Sequence, residues 1–339
     1  MPTILQIRPS AALPLSEIAL DGTGLGPELM AEVSGVAALV TLARPTHATI
    51  RIPEGVLPGD LTVSRGGIAS NPLPLRIAVP MAENLHPVAN PAVDAFGNVY
   101  TTLSGSRGQS TPVSIFRIAP APEGVIHELR PFVREILNPT GLAFGPDGHL
   151  YVSSRAEGTV YRVNSAGDAR IYAEGLGIAT GIAFDAAGDL YVGDRSGTIF
   201  KIRAARPGGL DKPAQAQETF VFATLEPSIS AYHLAFSRNG TLFVTGPTTA
   251  SSQAIHAIDR DGTATVFYRG LGRAQGLAFD AQDNLYVAAS LAGDRGIVRI
   301  APAGEASLAV SGNDLVGLCF LSGNRAALAT RDAIFEVHL

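Results

Sequence analysis

A twelve-residue phrase is written again and again along this chain. "GLAFGPDGHLYV" at 141–152 returns as "GIAFDAAGDLYV" from Gly181 and as "GLAFDAQDNLYV" from Gly276. Looser copies start at Asn90 ("NPAVDAFGNVYT"), His233 ("HLAFSRNGTLFV") and Gly317 ("GLCFLSGNRAALA"), which makes six copies spaced 40 to 52 residues apart. Each copy reads as an apolar strand, a turn carrying Asp, Asn or Gly, and a second strand. A third, alternating strand follows every copy ("SIFRI", "TVYRV", "TIFKI", "AIHAI", "GIVRI", "AIFEV"), and most have a fourth, such as "ARIYAEG", "TFVFATL" or "ATVFYRG". One such sheet cannot bury both faces, but a ring of them can, so the period predicts a six-bladed β-propeller over residues 80–339. The 37 Gly and 23 Pro, spread along the whole length, leave little room for long helices, and the fold class expected is all-β.

The last copy ends at Leu339 just after its third strand and so lacks an outer one. "LRIAVPMAENLHPVANPAVD" from Leu75 parallels "ARIYAEGLGIATGIAFD" from Ala169, which makes "RIAV" the missing piece. Arg76 to Val79 is therefore expected to pair with the C-terminal strand and close the ring, leaving fewer exposed edges. Residues 1–79 do not keep the period. Their short alternating strands between Gly and Pro turns, such as "EIALDGTGLG" and "HATIRIPEGV", predict a small N-terminal β-sandwich.

A net charge of -5 gives no global attraction to nucleic acid or to an anionic membrane, so neither is expected as a partner. The N-terminus lacks the basic and apolar regions of a signal peptide, and no apolar run reaches membrane-spanning length. The chain reads as soluble and cytoplasmic. Its single cysteine, Cys319, sits in "GLCF" and reads as a small buried residue. "GTGLG" at 22–26 is followed by Pro27 and a strand-like segment instead of a helix, so no nucleotide cofactor is expected. HExxH, Walker, GxSxG and cysteine–histidine signatures are absent.

In a propeller, the loops entering each first strand and those joining second to third strands open on one face around the axis. The first set carries His86, Asn90, Asn138, Tyr232, His233, Arg273, Gln275 and Asp314. His233 stands in a slot that most copies give to Gly, so it reads either as a general base or metal ligand, or as a hydrogen-bonded plug of the channel. The second set carries Arg107, Arg155, Asp194, Arg195, Arg295 and Arg331. These arginines would hold an anionic substrate group in bidentate fashion, or else bridge neighbouring blades with acids such as Asp194 and Asp294. His47, His127, His149, His256 and His338 read as structural, and "RAARPGGLDKPAQAQE" at 203–218 as a surface insertion.

The units "GLAFGPDGHLYV…GTVYRV" and "GIAFDAAGDLYVGDRSGTIFKI" resemble the NHL-repeat and SMP-30/gluconolactonase group of propellers across residues 80–339. "PTILQIRPSAALPLSEIALDGTGLG" and "GGIASNPLPLRI" resemble the IPT/TIG family, which implies that the N-terminal β-sandwich is immunoglobulin-like and serves as a spacer, docking or dimerising module. The propeller resemblance implies a small-molecule hydrolase of a lactone or related ester, with a lyase on the same pocket and a non-catalytic binding protein as alternatives. It also implies a divalent cation on the axis. At the family's ligand positions this chain has Thr140, Thr180, Tyr232 and Gln275, with Glu83 near the family's Glu, so the oxygen-rich calcium cage is not reproduced. His86 and His233 are the candidate ligands for one metal ion, with Zn, Mn or Fe favoured over Ca. In this reading His233 and His86, with Tyr232, carry catalysis. Asn90, Asn138, Asp194, Gln275, Arg155, Arg195, Arg273 and Arg331 bind the substrate. An enzyme should bring His86 and His233 together in one concave site.

Overall fold

The computed structural model describes residues 1–106, 108–122, 127–205, 217–250 and 252–339. Arg107 and most of the 203–218 insertion therefore lie outside the described residues. Within them every regular element is a strand. The N-terminal segment folds as two antiparallel sheets. One pairs Thr3–Arg8 with Glu17–Thr23, then His47–Arg51, then Val36–Arg44. The other pairs Val36–Arg44 with Met30–Val33, then Gly59–Arg65, then Leu73–Ile77. Alternate residues point inward: Ile18, Leu20, Ile50, Ile52, Leu61 and Leu75 fill a core that this segment builds for itself.

Each copy of the repeated phrase then opens an antiparallel sheet. The second runs Pro139–Phe144, Leu150–Ser154, Thr159–Val163 and Ala169–Ala173, and the third Ala179–Phe184, Leu190–Asp194, Thr198–Arg203 and Glu218–Thr224. The phrase has this form because of its turn. Asp185 Oδ1 accepts the amides of Ala187 and Asp189 (2.9 Å each), and its second oxygen accepts the Tyr191 hydroxyl (3.3 Å). The turn's Gly188 takes φ +85°, a region in which a side chain is strained. Asp94 does the same for Phe96, Asn98 and Tyr100.

The second-strand aromatic of the phrase reaches the next sheet. Tyr100 meets Phe144, Tyr151 meets Phe184, Tyr191 meets Phe236, Phe243 meets Phe279 and Tyr286 meets Phe320, all edge to face at 4.8 to 5.2 Å. Core clusters span consecutive sheets, and one of them joins Ala327, Ala329 and Ile334 of the last sheet to Val99 and Ile118 of the first.

The strand that completes the last sheet is Val79–Ala82, paired antiparallel with Ile334–His338. This corrects the expected span of Arg76 to Val79. Arg76 and Ile77 end Leu73–Ile77 and pair in parallel with Ala11–Ala12 of the N-terminal segment, because Leu75 and Ile77 belong to that segment's core. The ring takes the next residues, whose Met81 and Ala82 point into its own closing cluster.

The N-terminal segment also grips the fifth sheet. Leu13 N donates to the Ser311 carbonyl (2.8 Å), the Ser16 hydroxyl to the same oxygen (3.1 Å), and the Ser311 hydroxyl to the Glu17 carbonyl (2.6 Å).

Tyr191→Ala is expected to lower the unfolding free energy by about 3 to 4 kcal/mol, and Tyr191→Phe, which keeps the ring and loses the hydroxyl's bonds to Asp185 and Lys201, by about 1 kcal/mol, read from urea denaturation. Equal losses would show that the hydroxyl, not the ring, carries the contact. Among the described residues Thr102 Oγ1 is the buried side-chain oxygen without a partner. Thr102→Val is accordingly expected to keep or raise the thermal midpoint.

Candidate functional site

A cavity of about 740 Å³ opens where the strand mouths converge, and every sheet, or the segment leading into it, contributes to its wall. His86 to Val88 come from the approach to the first sheet, Thr140 and Arg155 from the second, Ile178, Thr180 and Arg195 from the third. Ile229 to Ala231 lead into the fourth, Arg273, Gln275, Ser290 and Arg295 come from the fifth and its approach, and Asp314 to Val316 and Arg331 from the sixth.

Its charge is lopsided. Arg155, Arg195, Arg273, Arg295 and Arg331 line it, against the single carboxylate of Asp314. Arg155 Nη2 lies 3.5 Å from both the Ser104 hydroxyl and the Gly105 carbonyl, and Arg195 Nε donates to the Ser228 carbonyl (3.2 Å). Neutral acceptors thus contribute to the placement of both guanidiniums. Arg331 Nη1 sits 3.7 Å from Asp314 Oδ1, but the side chains are 71% and 58% exposed, so solvent screens the pair to little worth. Arg273 is exposed, on a backbone at φ +46°. Gln275 donates Nε2 to the Leu315 carbonyl (3.2 Å), which aligns two stretches of the wall.

His86 is the cavity's imidazole. Its Nδ1 lies 2.5 Å from the Ser104 carbonyl oxygen, which only accepts; Nδ1 therefore carries the hydrogen and Nε2 is left as the basic nitrogen. The Ser104 amide in turn donates to the His86 carbonyl (3.3 Å), which fixes the residue on the same neighbour that Arg155 touches.

Five of the expected site residues do other work. His233 is 3% exposed, lies outside the cavity wall, and packs its backbone against Gly181, where a Cβ would come within 2.8 Å of the His233 Cα. Burial pushes the imidazole down to about 4, so it stays neutral. Tyr232 is equally buried. Its hydroxyl donates to the Glu226 carbonyl, its ring lies over Gly193 and Gly246, and burial, with Glu226 and Asp194 adding to it, pushes the phenol up to about 12. Asn90 donates Nδ2 to the Leu277 carbonyl (2.7 Å) and accepts the Leu318 amide (3.1 Å), which staples the fifth sheet to the sixth. Asn138, at φ +45°, accepts the Gly108 amide (2.8 Å) and donates to the Gly105 and Ser106 carbonyls (3.0 Å each). Asp194 accepts the Ile178 amide (2.8 Å) and the Ser196 amide (3.3 Å) and hydroxyl. Burial away from the cavity wall corrects the reading of His233 and Tyr232, and one physical reason corrects that of Asn90, Asn138 and Asp194. Irregular backbone at strand mouths must find partners when buried, and short amide and carboxylate side chains supply them.

The proposed metal pair is likewise not assembled, since His86 lines the cavity and His233 does not. Among the described residues no group of three or more His, Cys, Asp or Glu could hold an ion. The wall does not fit a resident divalent cation, because guanidiniums repel it and Asp314 is the one hard oxyanion donor. Arg295, one arm of the suggested Asp294 bridge, faces the cavity instead. Elsewhere His47 pairs with Asp21 (3.1 Å) and His149 with Asp147 (3.5 Å), and burial pushes the Cys319 thiol up to about 12.

No protein-family model and no curated protein matches this sequence. Solved structures do. A putative gluconolactonase aligns with TM-score 0.57 and 17% identity over 78% of this chain and 92% of its own. An auxiliary nutrient binding protein from Bacteroides thetaiotaomicron aligns with TM-score 0.56 and 10% identity over 99% of this chain and 97% of its own. Virginiamycin B lyase from Staphylococcus aureus aligns with TM-score 0.51 and 16% identity over 77% and 97%. At such identities the likeness is one of fold. The neighbours include β-propeller proteins, and the all-β sheet arrangement described above is consistent with that fold. No helix among the described residues is long and apolar enough to cross a membrane.

His233 generates a stability prediction. Its folded value of about 4 lies below the ordinary 6.5, so between those two pH values the unfolded chain binds a proton that the folded chain refuses. Its contribution is complete above pH 6.5 and is lost as pH falls toward 4, up to about 3 kcal/mol. Urea denaturation across that range should show a shallower pH slope for His233→Gln than for wild type; identical slopes would refute a neutral buried imidazole.

Proposed function

We propose that residues 80–339 form a six-bladed propeller, that residues 1–79 form a separate immunoglobulin-like sandwich of the IPT/TIG kind, and that the protein acts on a small organic anion in the axial cavity. The shared core of the first and last sheets supports the ring. The observation that carries the ligand class is the wall of five guanidiniums against one carboxylate in a chain whose net charge is -5. A recess lined by one sign of charge draws oppositely charged solutes inward even in a chain of negative net charge. The partner is a small molecule, not a nucleic acid or a membrane.

The reaction this wall suits is hydrolysis of a lactone or related ester without a metal. His86 Nε2 takes a proton from water as that water adds to the carbonyl carbon. The negative charge that develops on the carbonyl oxygen is stabilised by Arg155, which shares the Ser104–Gly105 stretch with His86. Collapse of the intermediate breaks the ring ester bond, and the imidazolium returns its proton to the leaving alkoxide. A carboxylate and an alcohol result. The gluconolactonase neighbour supports this reading through its fold. Retention of an anion without turnover is the second reading. It is favoured by the nutrient binding neighbour, whose alignment includes the N-terminal segment.

The test is calorimetric titration with sugar-acid lactones and their open acids, alongside acid release in a pH-stat. Arg155→Gln is expected to weaken acid binding about 10- to 100-fold, and His86→Gln to lower kcat at least about 100-fold while acid binding persists. Acid binding without any acid release by wild type would establish the second reading. No binding of either class would remove the cavity as the site.

A further inference from the structure

We infer that the ligand is two-headed, an organic anion with a negative group at each end, such as a dicarboxylate or a phosphorylated acid. The inference rests on the reading of the cavity as an anion site at the centre of a six-sheet ring. What it adds comes from the order in which the arginines enter that ring.

Arg155 follows Leu150–Ser154 of the second sheet, and Arg195 follows Leu190–Asp194 of the third. Arg295 lies in Asp294–Ile300 of the fifth, and Arg331 follows Arg325–Ala329 of the sixth. In a ring of six, the second and third members stand across the axis from the fifth and sixth. The guanidiniums thus form two groups on opposing walls, Arg155 and Arg195 on one and Arg295 and Arg331 on the other, with Arg273 joining the second group at the entry to the fifth sheet. On the near wall the two are oriented by carbonyl oxygens of Gly105 and Ser228. On the far wall Arg331 has only the loose, solvent-screened Asp314, and among the described residues no carboxylate lies within ion-pair distance of Arg295.

A ligand with one charge would pair with one wall and leave the other wall's cations without a ligand partner. A dianion compensates both at once, with each end free to take paired N–H donors. A volume of about 740 Å³ is larger than a lone carboxylate group needs and accommodates a short chain between two such groups. The interval between the walls then selects chain length, which gives the site a measuring function that a single arginine cluster would lack.

The experiment is calorimetric titration of the full chain with matched pairs: succinate, glutarate, adipate and suberate against butyrate, valerate, hexanoate and octanoate, together with 3-phosphoglycerate against glycerate. The expected result is at least about tenfold tighter binding of the dianion in one or more pairs, with an optimum in chain length. Arg195→Gln and Arg331→Gln should each erase most of that advantage, and their unchanged thermal midpoints without ligand would show that both variants fold. Matched pairs binding equally would overturn the two-headed ligand while leaving the anion site standing. A panel in which nothing binds would overturn the anion site and this inference together.

Discussion

Everything at the centre of this molecule depends on an aromatic ring turned edge-on to its neighbour. A four-stranded sheet of short strands has no intrinsic way to fix its angle to the next sheet. Here each of the first four units wedges its second-strand aromatic between an aromatic of its own fourth strand and the Phe that opens the next sheet: Tyr191 lies between Phe222 and Phe236, and Phe243 between Phe267 and Phe279. The positive edge of one ring against the negative face of another favours one crossing geometry over its alternatives. Where tyrosine fills the slot, its hydroxyl locks onto the aspartate of the adjoining turn, so one residue sets both the hairpin and the inter-sheet angle. The angle, repeated, decides where the strand mouths meet. The seam between last and first sheets has Ala327 and Val93 in the corresponding slots. Aliphatic packing and the hydrogen bonds of Val79–Ala82 replace the zipper there, so closure is carried by chain topology as much as by contact.

That topology explains why the N-terminal segment is more than an attached weight. The chain leaves it at Ile77 and enters the ring's closing strand at Val79, which leaves only Ala78 between them. On the other side, Ser16 and Ser311 exchange hydrogen bonds with the main chain across the joint, and Leu13 packs with Leu315 in one core. Gly312, Asp314, Leu315 and Val316 follow directly and line the cavity. The segment therefore braces one stretch of the cavity wall from behind. A rigid brace matters for a site that works by fixed charges, because guanidiniums that reorganise when ligand arrives give back much of the energy they offer.

The sequence was a good guide wherever one residue type has one physical use. A phrase of alternating apolar residues with Asp and Gly at fixed offsets admits a hairpin and little else, and the strands fall where the phrases place them. The closing strand was found three residues early because "LRIAVP" is apolar at alternate positions on both sides of the boundary, and only the competing claim of the N-terminal core on Leu75 and Ile77 decides it. The site was less legible for the same kind of reason. Asn90, Asn138 and Asp194 sit at strand mouths where a ligand-binding residue and a backbone-satisfying residue look alike. Which use wins depends on whether an orphan amide lies within reach, a property of three-dimensional neighbours. The arginines were easier, since their length carries the charge past the local backbone into the open space. His233 misleads because a histidine in a slot that most copies give to Gly suggests chemistry, whereas the residue lies buried and off the cavity wall.

The balance of charge accounts for why the proposed anion site does not call for an axial cation. A bound divalent ion polarises a carbonyl and neutralises oxyanions from one point, and it needs several carboxylate or neutral oxygen donors converging on that point. This chain has put hydroxyls and an amide at those positions, Thr140, Thr180 and Gln275, and has placed permanent cations further out, on long side chains anchored by carbonyl oxygens. Distributed positive charge is weaker at any single atom but extends over the whole cavity, which is what the proposed recognition of an anion by its shape rests on.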